Sequence, residues 1–463
     1  VTDPTDVSGA ELRRRATRSS LYELLGYAVS YALRLVTSTV LRRLLFPAAF
    51  GIMEVVTGVS VGLVMLSDVG IRQAVIQSPR GDDQRMLDTA WTMQVVRGLF
   101  LWLMSLVMTY PAMLLADEPL LLYVLPVASF VTLFQGFTST AEMTLRRNMT
   151  LGRITALELA CQGVAAVTTL TWASLYPSVW ALVAGGLMSS AVHMVATHRI
   201  AYTLGYRNRF VWDSEIRREI MNFGRWITGS SAVHFLSMWT DRLMLVGLVG
   251  TTTAGVYATA ILISESVSSA AERVLHGVFY PLFSRISREG TERLREAYYR
   301  TRIRFDTFTL GGTGVLMTMA PWIIQLLFDD RYKEAGWMLQ VLVLRAATNS
   351  LITPCETCLT STGLSRYGFY QNLIRAIWVL ITVPIGYAVG GVAGMVWMAA
   401  LSGVPSLMFL WRMFHQQGLL RLEREALAIG IFVAGALAGK LSMFVLPEAV
   451  VVRQWVKMLF AGG

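Results

Sequence analysis

Apolar residues in this chain gather into long runs, separated by short gaps that hold most of the charged residues. A helix needs roughly 20 apolar residues to cross hydrocarbon, whereas a membrane β-barrel would show short alternating segments. The pattern therefore predicts an all-α polytopic membrane protein. Its spans are expected at about 19–43, 48–70, 89–110, 119–143, 153–175, 178–203, 222–249, 253–283, 304–328, 335–360, 367–389 and 391–413, with a thirteenth over about 425–446. The stretch from Glu448 to Phe460 is too short to cross upright. Arg453, Trp455 and Lys457 favour a place for it along the interface.

The gaps alternate in charge. Most of the 40 Lys and Arg residues lie in every second gap, while the opposite gaps hold Arg42, Arg43, Arg331 and Lys333. Cytoplasmic loops carry the cations, so the N-terminus is expected inside, with residues 1–18 (Arg13, Arg14, Arg15 and Arg18 among them) as a cytoplasmic arm. Composition agrees with this reading. Apolar residues make up 54% and charged residues 15% of the chain, and mean hydropathy is +0.52. The net charge of +10 then reports topology, and its dispersal through short loops argues against nucleic-acid binding. The 37 Arg against 3 Lys point to a GC-rich bacterial genome.

The outer connections are too short to form a catalytic domain. Residues 205–221 read as a cytoplasmic linker between two six-span halves, 19–204 and 222–414, followed by a cytoplasmic loop, the thirteenth span and a tail over 415–463. A faint repeat supports the division: Ala49-Phe50-Gly51-Ile52-Met53 opens the second span and Thr253-Ala254-Gly255-Val256-Tyr257 the eighth. An even number of spans per half gives both halves one orientation. Transporters built from such repeats keep their substrate site at the repeat interface.

Charges within spans are costly, about 2.5–3.5 kcal/mol each on insertion scales, and need a partner or a wet cavity. Residues at i, i+3, i+4 and i+7 share a helix face, which groups them into stripes: Tyr27, Tyr31, Arg34 and Ser38; Gln135, Ser139 and Glu142; Glu158, Gln162 and Thr169; Glu265, Glu272 and, at its edge, Arg273; His234, Met238 and Asp241, beside Arg242; Arg345, Asn349 and Glu356. Asp68, Arg97 and Arg375 are expected near the inner surface and Glu54 near the outer end, where ion pairing or snorkelling explains them. Arg34, Arg345 and Glu265 lie deeper, where cavity lining is expected. So many stripes on so many helices predict a water-filled cavity between the halves. His193, His198 and His415 have no partners at ligand spacing and read as structural. Cys161 reads as a filler, and Cys355-Glu356-Thr357-Cys358 lies in an apolar helix where neither redox nor metal chemistry is expected. A phosphate-binding GxxxxGK[ST] segment is absent, as is an acidic pair in a large loop.

Several segments, in order, resemble the oligosaccharide flippases of the multidrug/oligosaccharidyl-lipid/polysaccharide exporter superfamily, in the exopolysaccharide and colanic-acid exporter branch. These are Phe50-Gly51 with Leu66-Ser67-Asp68-Val69-Gly70 through Gln77, Thr240-Asp241-Arg242 through Gly247 with Ala254-Gly255-Val256-Tyr257, and Phe279-Tyr280-Pro281-Leu282-Phe283-Ser284-Arg285-Ile286. The resemblance covers roughly 19–413 and lapses after Arg412. It implies two six-helix lobes around a central cavity, plus one or two C-terminal helices, working by alternating access in the bacterial cytoplasmic membrane. The implied substrate is an undecaprenyl-pyrophosphate-linked oligosaccharide moved from the inner to the outer leaflet. No enzymatic activity or cofactor is implied. H+ or Na+ is the candidate coupling ion, a glycan polymerase and glycosyltransferases are the candidate partners, and the protein is expected to act as a monomer among membrane lipids. On this reading Arg34 and Arg345, with Arg97 and Arg273, face the pyrophosphate. Tyr27 and Tyr31 stack on sugars, Gln135, Glu142, Glu158 and Asn349 bond hydroxyls, and Asp241, Arg242, Glu265 and Glu356 serve coupling or lobe packing. A cation-coupled drug antiporter, a lipid II flippase and a membrane polymerase or glycosyltransferase remain as alternatives.

Overall fold

The structure, a computed structural model, describes residues 9–148, 150–275 and 279–445. Side chains are not described at 9–25, 27, 151, 223, 225–227, 267, 270, 271, 273 and 274. The side chains of Tyr27 and Arg273 and the interfacial tail over 448–460 therefore lie outside the described residues.

Sixteen α-helices and two short 3-10 turns account for the described secondary structure. Eight helical stretches are long and apolar enough to cross a membrane, or nine if the bent pair Leu121–Gly136 and Ala141–Arg147 is one span. Two of these stretches are folded pairs. The helix Ser214–Val274 leaves helical geometry at Gly250 (φ 82°), and Arg242 lies 2.6 Å from Glu265. A straight helix would hold residues so far apart in sequence at roughly 35 Å. The helix Arg366–Ala400 breaks at Gly390 and Gly391, and Trp378 donates to the Met398 carbonyl at 3.1 Å. Counted as pairs, and with Gly9–Leu44 and Ala335–Ser361 added, the helices supply the twelve spans expected from the sequence. The helix Leu422–Val445 is the thirteenth.

The chain divides into two compact units, 1–45 with 55–232, and 46–54 with 233–463. The first contains α1 (Gly9–Leu44), most of α2 (Pro47–Leu66), α3 (Ile71–Gln77), α4 (Gln84–Ala116), α5 (Leu121–Ala128), α6 (Phe130–Gly136), α7 (Ala141–Arg147), α8 (Leu151–Leu175), α9 (Trp180–Thr203) and the start of α10 (Ser214–Val274). The units change over inside α10, beyond the linker expected at 205–221, because that linker is tied down within the first unit. Its Arg209 N–H donates to Asp88 at 3.0 Å and its Val211 N–H to Thr92 at 3.1 Å. Asp213 then caps α10, accepting the backbone N–H groups of Ile216 and Glu215. Those bonds hold its carboxyl below the usual carboxylate range, with Arg85 adding to the effect. Ile216 and Ile220 complete a small core with Ile71, Val75, Met86 and Met143.

The second unit holds the rest of α10, α11 (Tyr280–Ile286), α12 (Thr291–Leu327), α13 (Ala335–Ser361), α14 (Arg366–Ala400), α15 (Gly403–Gln416) and α16 (Leu422–Val445). The two repeat-like segments meet here. A Cβ on Gly51 would fall 1.8 Å from the Thr251 carbonyl oxygen, and one on Gly255 would fall 1.9 Å from that of Pro47. The start of α2 can therefore lie against the turn at Gly250 only because both positions lack a side chain. α16 packs along α12 in the same way, with Gly314 against the Phe432 carbonyl and Gly435 against that of Gly311. Small residues let membrane helices approach closely, so α16 is an integral part of this unit.

Candidate functional site

The first unit encloses a cavity of about 780 Å³, lined from α2, α3, α4, α6, α7, α8 and α9. Its position follows from a break in one span. Between α6 and α7 the chain bends by 58° at residues 137–140. Carbonyls freed by such a break must find donors inside a membrane, and here neighbouring side chains supply them. Gln94 donates to the Gln135 carbonyl at 2.8 Å, Trp91 to that of Phe137 at 3.4 Å, and His198 Nε2 lies 2.8 Å from the same Phe137 oxygen. His198 thus has a structural role. Broken backbone at membrane depth is tolerated where it lines a cavity.

The bend places Glu142 in the first turn of α7, where the helix dipole favours a carboxylate. Glu142 is the hub of the cavity's charges. Arg146 donates to it at 3.0 Å, Arg72 lies 4.0 Å away, and His193 Nε2 lies 3.8 Å from its second oxygen. Arg146 continues to Glu158 at 3.1 Å. Arg97 reaches from α4 to the end of α2, donating to the Val64 carbonyl at 2.6 Å and to Ser67 Oγ at 3.1 Å. Three arginines, three carboxylates and His193 thus share one cavity with Gln94, Gln135 and Gln162. Such a surface offers both donors and acceptors to a hydroxyl-rich ligand and cations to an anionic one.

Of the residues singled out in the sequence, Arg97, Gln135, Glu142 and Glu158 meet in this cavity. Arg34 and Tyr31 are not part of its wall. They stack on each other along α1, with the guanidinium 5.5 Å from the ring centre. α1 nonetheless touches the wall, because Gln162 and Ser30 exchange hydrogen bonds at 2.6 and 2.8 Å. Arg72 and Arg146 are cavity residues that the sequence did not single out, and His193, read there as structural, also lines the cavity. Arg72 and Arg146 read there as ordinary positive-inside charges, and the carboxylate beside His193 comes from a different helix.

The Ser67-Asp68-Val69-Gly70 motif proves to be a turn. Asp68 Oδ1 accepts the Gly70 N–H at 3.0 Å, Gly70 has φ 62°, and Thr228 donates to the Asp68 carbonyl at 2.7 Å. Asp68 also lines the cavity.

The remaining candidates lie in the second unit and largely bind one another. Arg345, only 5% exposed, donates to Asp241 at 2.6 Å and to Glu265 at 3.0 Å. Arg242 donates to Glu265 at 2.6 Å, lies 3.7 Å from Glu54, and covers the Trp239 ring. Tyr257 donates to Asp241 at 2.8 Å. The deep position of Arg345, expected to face a cavity, is thus answered by two carboxylates. Asn349 accepts from Arg375 at 3.1 Å, and Glu356 accepts from Gln371 at 3.2 Å. Cys355 and Cys358 are buried free thiols, with Cys355 Sγ 3.1 Å from the Tyr298 hydroxyl. Among the described residues no group of His, Cys, Asp and Glu is arranged to hold a metal.

An all-helical, multi-span membrane protein with a polar cavity inside one of two helical units is the class these features define. A family model described as "Polysaccharide biosynthesis protein" matches residues 40–337, and the chain belongs to that family. It is 22% identical over 406 residues to the succinoglycan biosynthesis transport protein ExoT of Rhizobium meliloti (strain 1021), covering 87% of this chain and 81% of that protein. It is 21% identical over 391 residues to the lipopolysaccharide biosynthesis protein WzxC of Escherichia coli (strain K12), covering 83% and 77%. Among solved structures, the lipid II flippase MurJ in its inward closed conformation superposes with a TM-score of 0.73, over 95% of this chain and 98% of that one. An inward-facing multidrug resistance transporter of the MATE family superposes with a TM-score of 0.60, over 87% and 95%. At 11% and 16% identity these two likenesses are of fold.

Proposed function

We propose that this protein is a flippase that carries an undecaprenyl-pyrophosphate-linked oligosaccharide from the inner to the outer leaflet of the bacterial cytoplasmic membrane. The observation that carries this reading is the cavity of mixed charge in the first unit, set within a helical membrane protein of a polysaccharide biosynthesis family. Relatives named for succinoglycan transport and lipopolysaccharide biosynthesis support it. The chemistry is coherent. Sugars and pyrophosphate need a polar path, whereas a polyprenyl tail is soluble in lipid and can stay there. Arginines suit the pyrophosphate through charge-assisted, paired hydrogen bonds. Arg72, Arg97 and Arg146 occupy the cavity for that role, with Arg34 on α1, and Gln135, Glu142 and Glu158 are placed to bond hydroxyls. The N-terminus lies in the cytoplasm, a proton or Na+ gradient drives transport, and a glycan polymerase receives the product outside.

The test is flipping of a labelled polyprenyl-pyrophosphate oligosaccharide in proteoliposomes holding the purified protein. Wild type is expected to expose the glycan to an external glycosidase faster than protein-free vesicles do. Glu142→Gln removes the charge that organises Arg72, Arg146 and His193. A hydrogen bond to a charged group is worth roughly 1.5–3 kcal/mol, so flipping should fall by about ten- to a hundredfold with the protein still folded. No glycan exposure by wild type, together with export of cationic drugs, would instead mark an antiporter.

A further inference from the structure

The C-terminal end of α9 and the linker after it, both within the first unit, carry arginines unlike those of the cavity. Arg80 pairs with Glu215 and Glu219, Arg85 with Asp213, Arg146 with Glu142 and Glu158, and Arg147 with Asp82. Arg199, Arg207 and Arg209 are exposed and have no carboxylate within 4.0 Å among the described residues. In the linker the even-numbered side chains turn toward the unit. Tyr206 donates to Thr144 at 3.3 Å, Asn208 donates to Thr140 at 2.7 Å and accepts from Ser139, and the Phe210 ring lies 4.7 Å from that of Trp91. Arg207 and Arg209 take the opposite side, since side chains alternate along an extended chain. The Arg207 guanidinium lies 5.1 Å from the centre of the Tyr202 ring. Tyr202 follows Arg199 by three residues on α9, a spacing that makes helical side chains neighbours. Arg199, Tyr202 and Arg207 thus share one exposed surface.

What sets Arg199 apart from other unpaired arginines is the space beside it. An open apolar groove of about 590 Å³ is lined on α9 by Ala191, Val192, Val195, Ala196 and Ile200, with Arg199 the one charged residue along it among the described residues. Arg199 and Ala191 lie roughly 12 Å apart along the helix, close to the hydrocarbon depth of one leaflet, about 15 Å. A hydrocarbon chain in the groove and an anion against Arg199 and Arg207 are the two ends of one lipid. Charge decides its class: guanidinium groups without carboxylates attract a phosphate, whereas a zwitterionic headgroup already carries its own cation. The exposed Tyr202 and Trp212 suit the level of the headgroups.

We infer that the C-terminal end of α9 binds one anionic phospholipid, with its phosphate held by Arg199 and Arg207 and an acyl chain in the α9 groove. This lipid is a ligand of the protein's outer wall and not its cargo, so the site stands whether or not the protein is a flippase. It also reaches the cavity. Arg207 adjoins Asn208, which grips Ser139 and Thr140 just ahead of α7, and Ser139 and Glu142 line the cavity. A headgroup on Arg207 therefore steadies the linker that holds the bend in place.

The test places the full-length protein in nanodiscs of phosphatidylcholine with a minor share of phosphatidylglycerol, then extracts it in mild detergent for native mass spectrometry. Wild type is expected to retain one phosphatidylglycerol and little phosphatidylcholine. Arg199→Gln combined with Arg207→Gln should lower that retention about ten- to thirtyfold, since each cation near an anionic lipid surface is worth about fivefold. Ala196→Trp, which fills the groove and leaves both cations in place, should lower it as well. Melting curves confirm that the variants are folded, and if the double Gln variant is not, Ala196→Trp decides beside the wild-type comparison of the two lipids. Equal retention of the two lipids by wild type overturns the inference, and so does unchanged phosphatidylglycerol retention in a folded variant. Undecaprenyl phosphate that displaces phosphatidylglycerol from wild type overturns it too, and would mark the groove as a place for a polyprenyl tail.

Discussion

Arg302→Met will destabilise the second unit by about 3–5 kcal/mol, the usual cost of stranding buried charges. Arg302 is 2% exposed, and its two partners, Asp306 at 4% and Glu425 at 2%, are equally enclosed. Its Nε lies 2.9 Å from Asp306, and its Nη1 donates to Glu425 and, at 2.8 Å, to the Tyr298 hydroxyl. Tyr299 donates to Glu425 at 3.1 Å and accepts the Arg421 N–H at 2.8 Å. Arg302 thus joins α12 to the first turn of α16. Methionine would leave two carboxylates without a counter-charge. The loss should appear as a lower melting temperature and early aggregation on fluorescence-detected gel filtration. The triple variant Arg302→Met, Asp306→Leu, Glu425→Leu removes all three charges and should recover much of the loss, since well-packed apolar replacements of buried ion clusters are often neutral or better. An Arg302→Met protein that melts with wild type would show that the cluster contributes no stability.

The second large effect concerns Arg345 and Asp241. Arg345→Gln leaves Asp241 and Glu265 under-neutralised, and Asp241→Asn leaves Arg345 and Tyr257 facing a neutral amide in place of their shared carboxylate. Each single change should cost about 3 kcal/mol or more. The double variant should cost less than the sum of the two, by roughly 1–3 kcal/mol, because contacting residues couple. Melting temperatures of the four proteins close this cycle. Additive losses would mean that the pair does not interact. The pattern also separates packing from transport: Arg345→Gln lowers protein abundance and flipping together, whereas Glu142→Gln lowers flipping at constant abundance.

Much of the architecture was legible in the chain. Helical spans are recorded locally, because a run of apolar residues is enough to require burial in lipid and a helix is the structure that satisfies its own backbone there. The fold-backs at Gly250 and at Gly390-Gly391 fall at the gaps expected from hydropathy. Gly51 and Gly255, noticed as a faint repeat, are among the positions where a Cβ would collide with backbone. The α6–α7 break was less visible: residues 119–143 read as one span, since the chain from Phe137 to Thr140 contains neither Gly nor Pro and its freed carbonyls are satisfied by α4 and α9.

The candidate site was only half legible, for a different reason. A stripe on one helix shows which charges share a face and says nothing of the helix opposite. Glu142 and Glu158 line a cavity within the first unit, where the stripes had suggested one between the halves, and their arginines came from positions that resembled inner-loop cations. Arg345 looked like a binding residue because it is deep, and is neutralised by Asp241, far away in sequence. Arg375 looked peripheral, yet it is buried and bonded to Asn349 of α13. The sequence by itself determined the class of protein, the places of its long apolar helices and the inventory of charges inside them, since those follow from the one-dimensional distribution of apolar surface. Only the tertiary structure decided which charges cancel and which remain available, because a charge's partner lies across a helix interface, and its energy depends on a distance of a few ångströms that no local pattern contains.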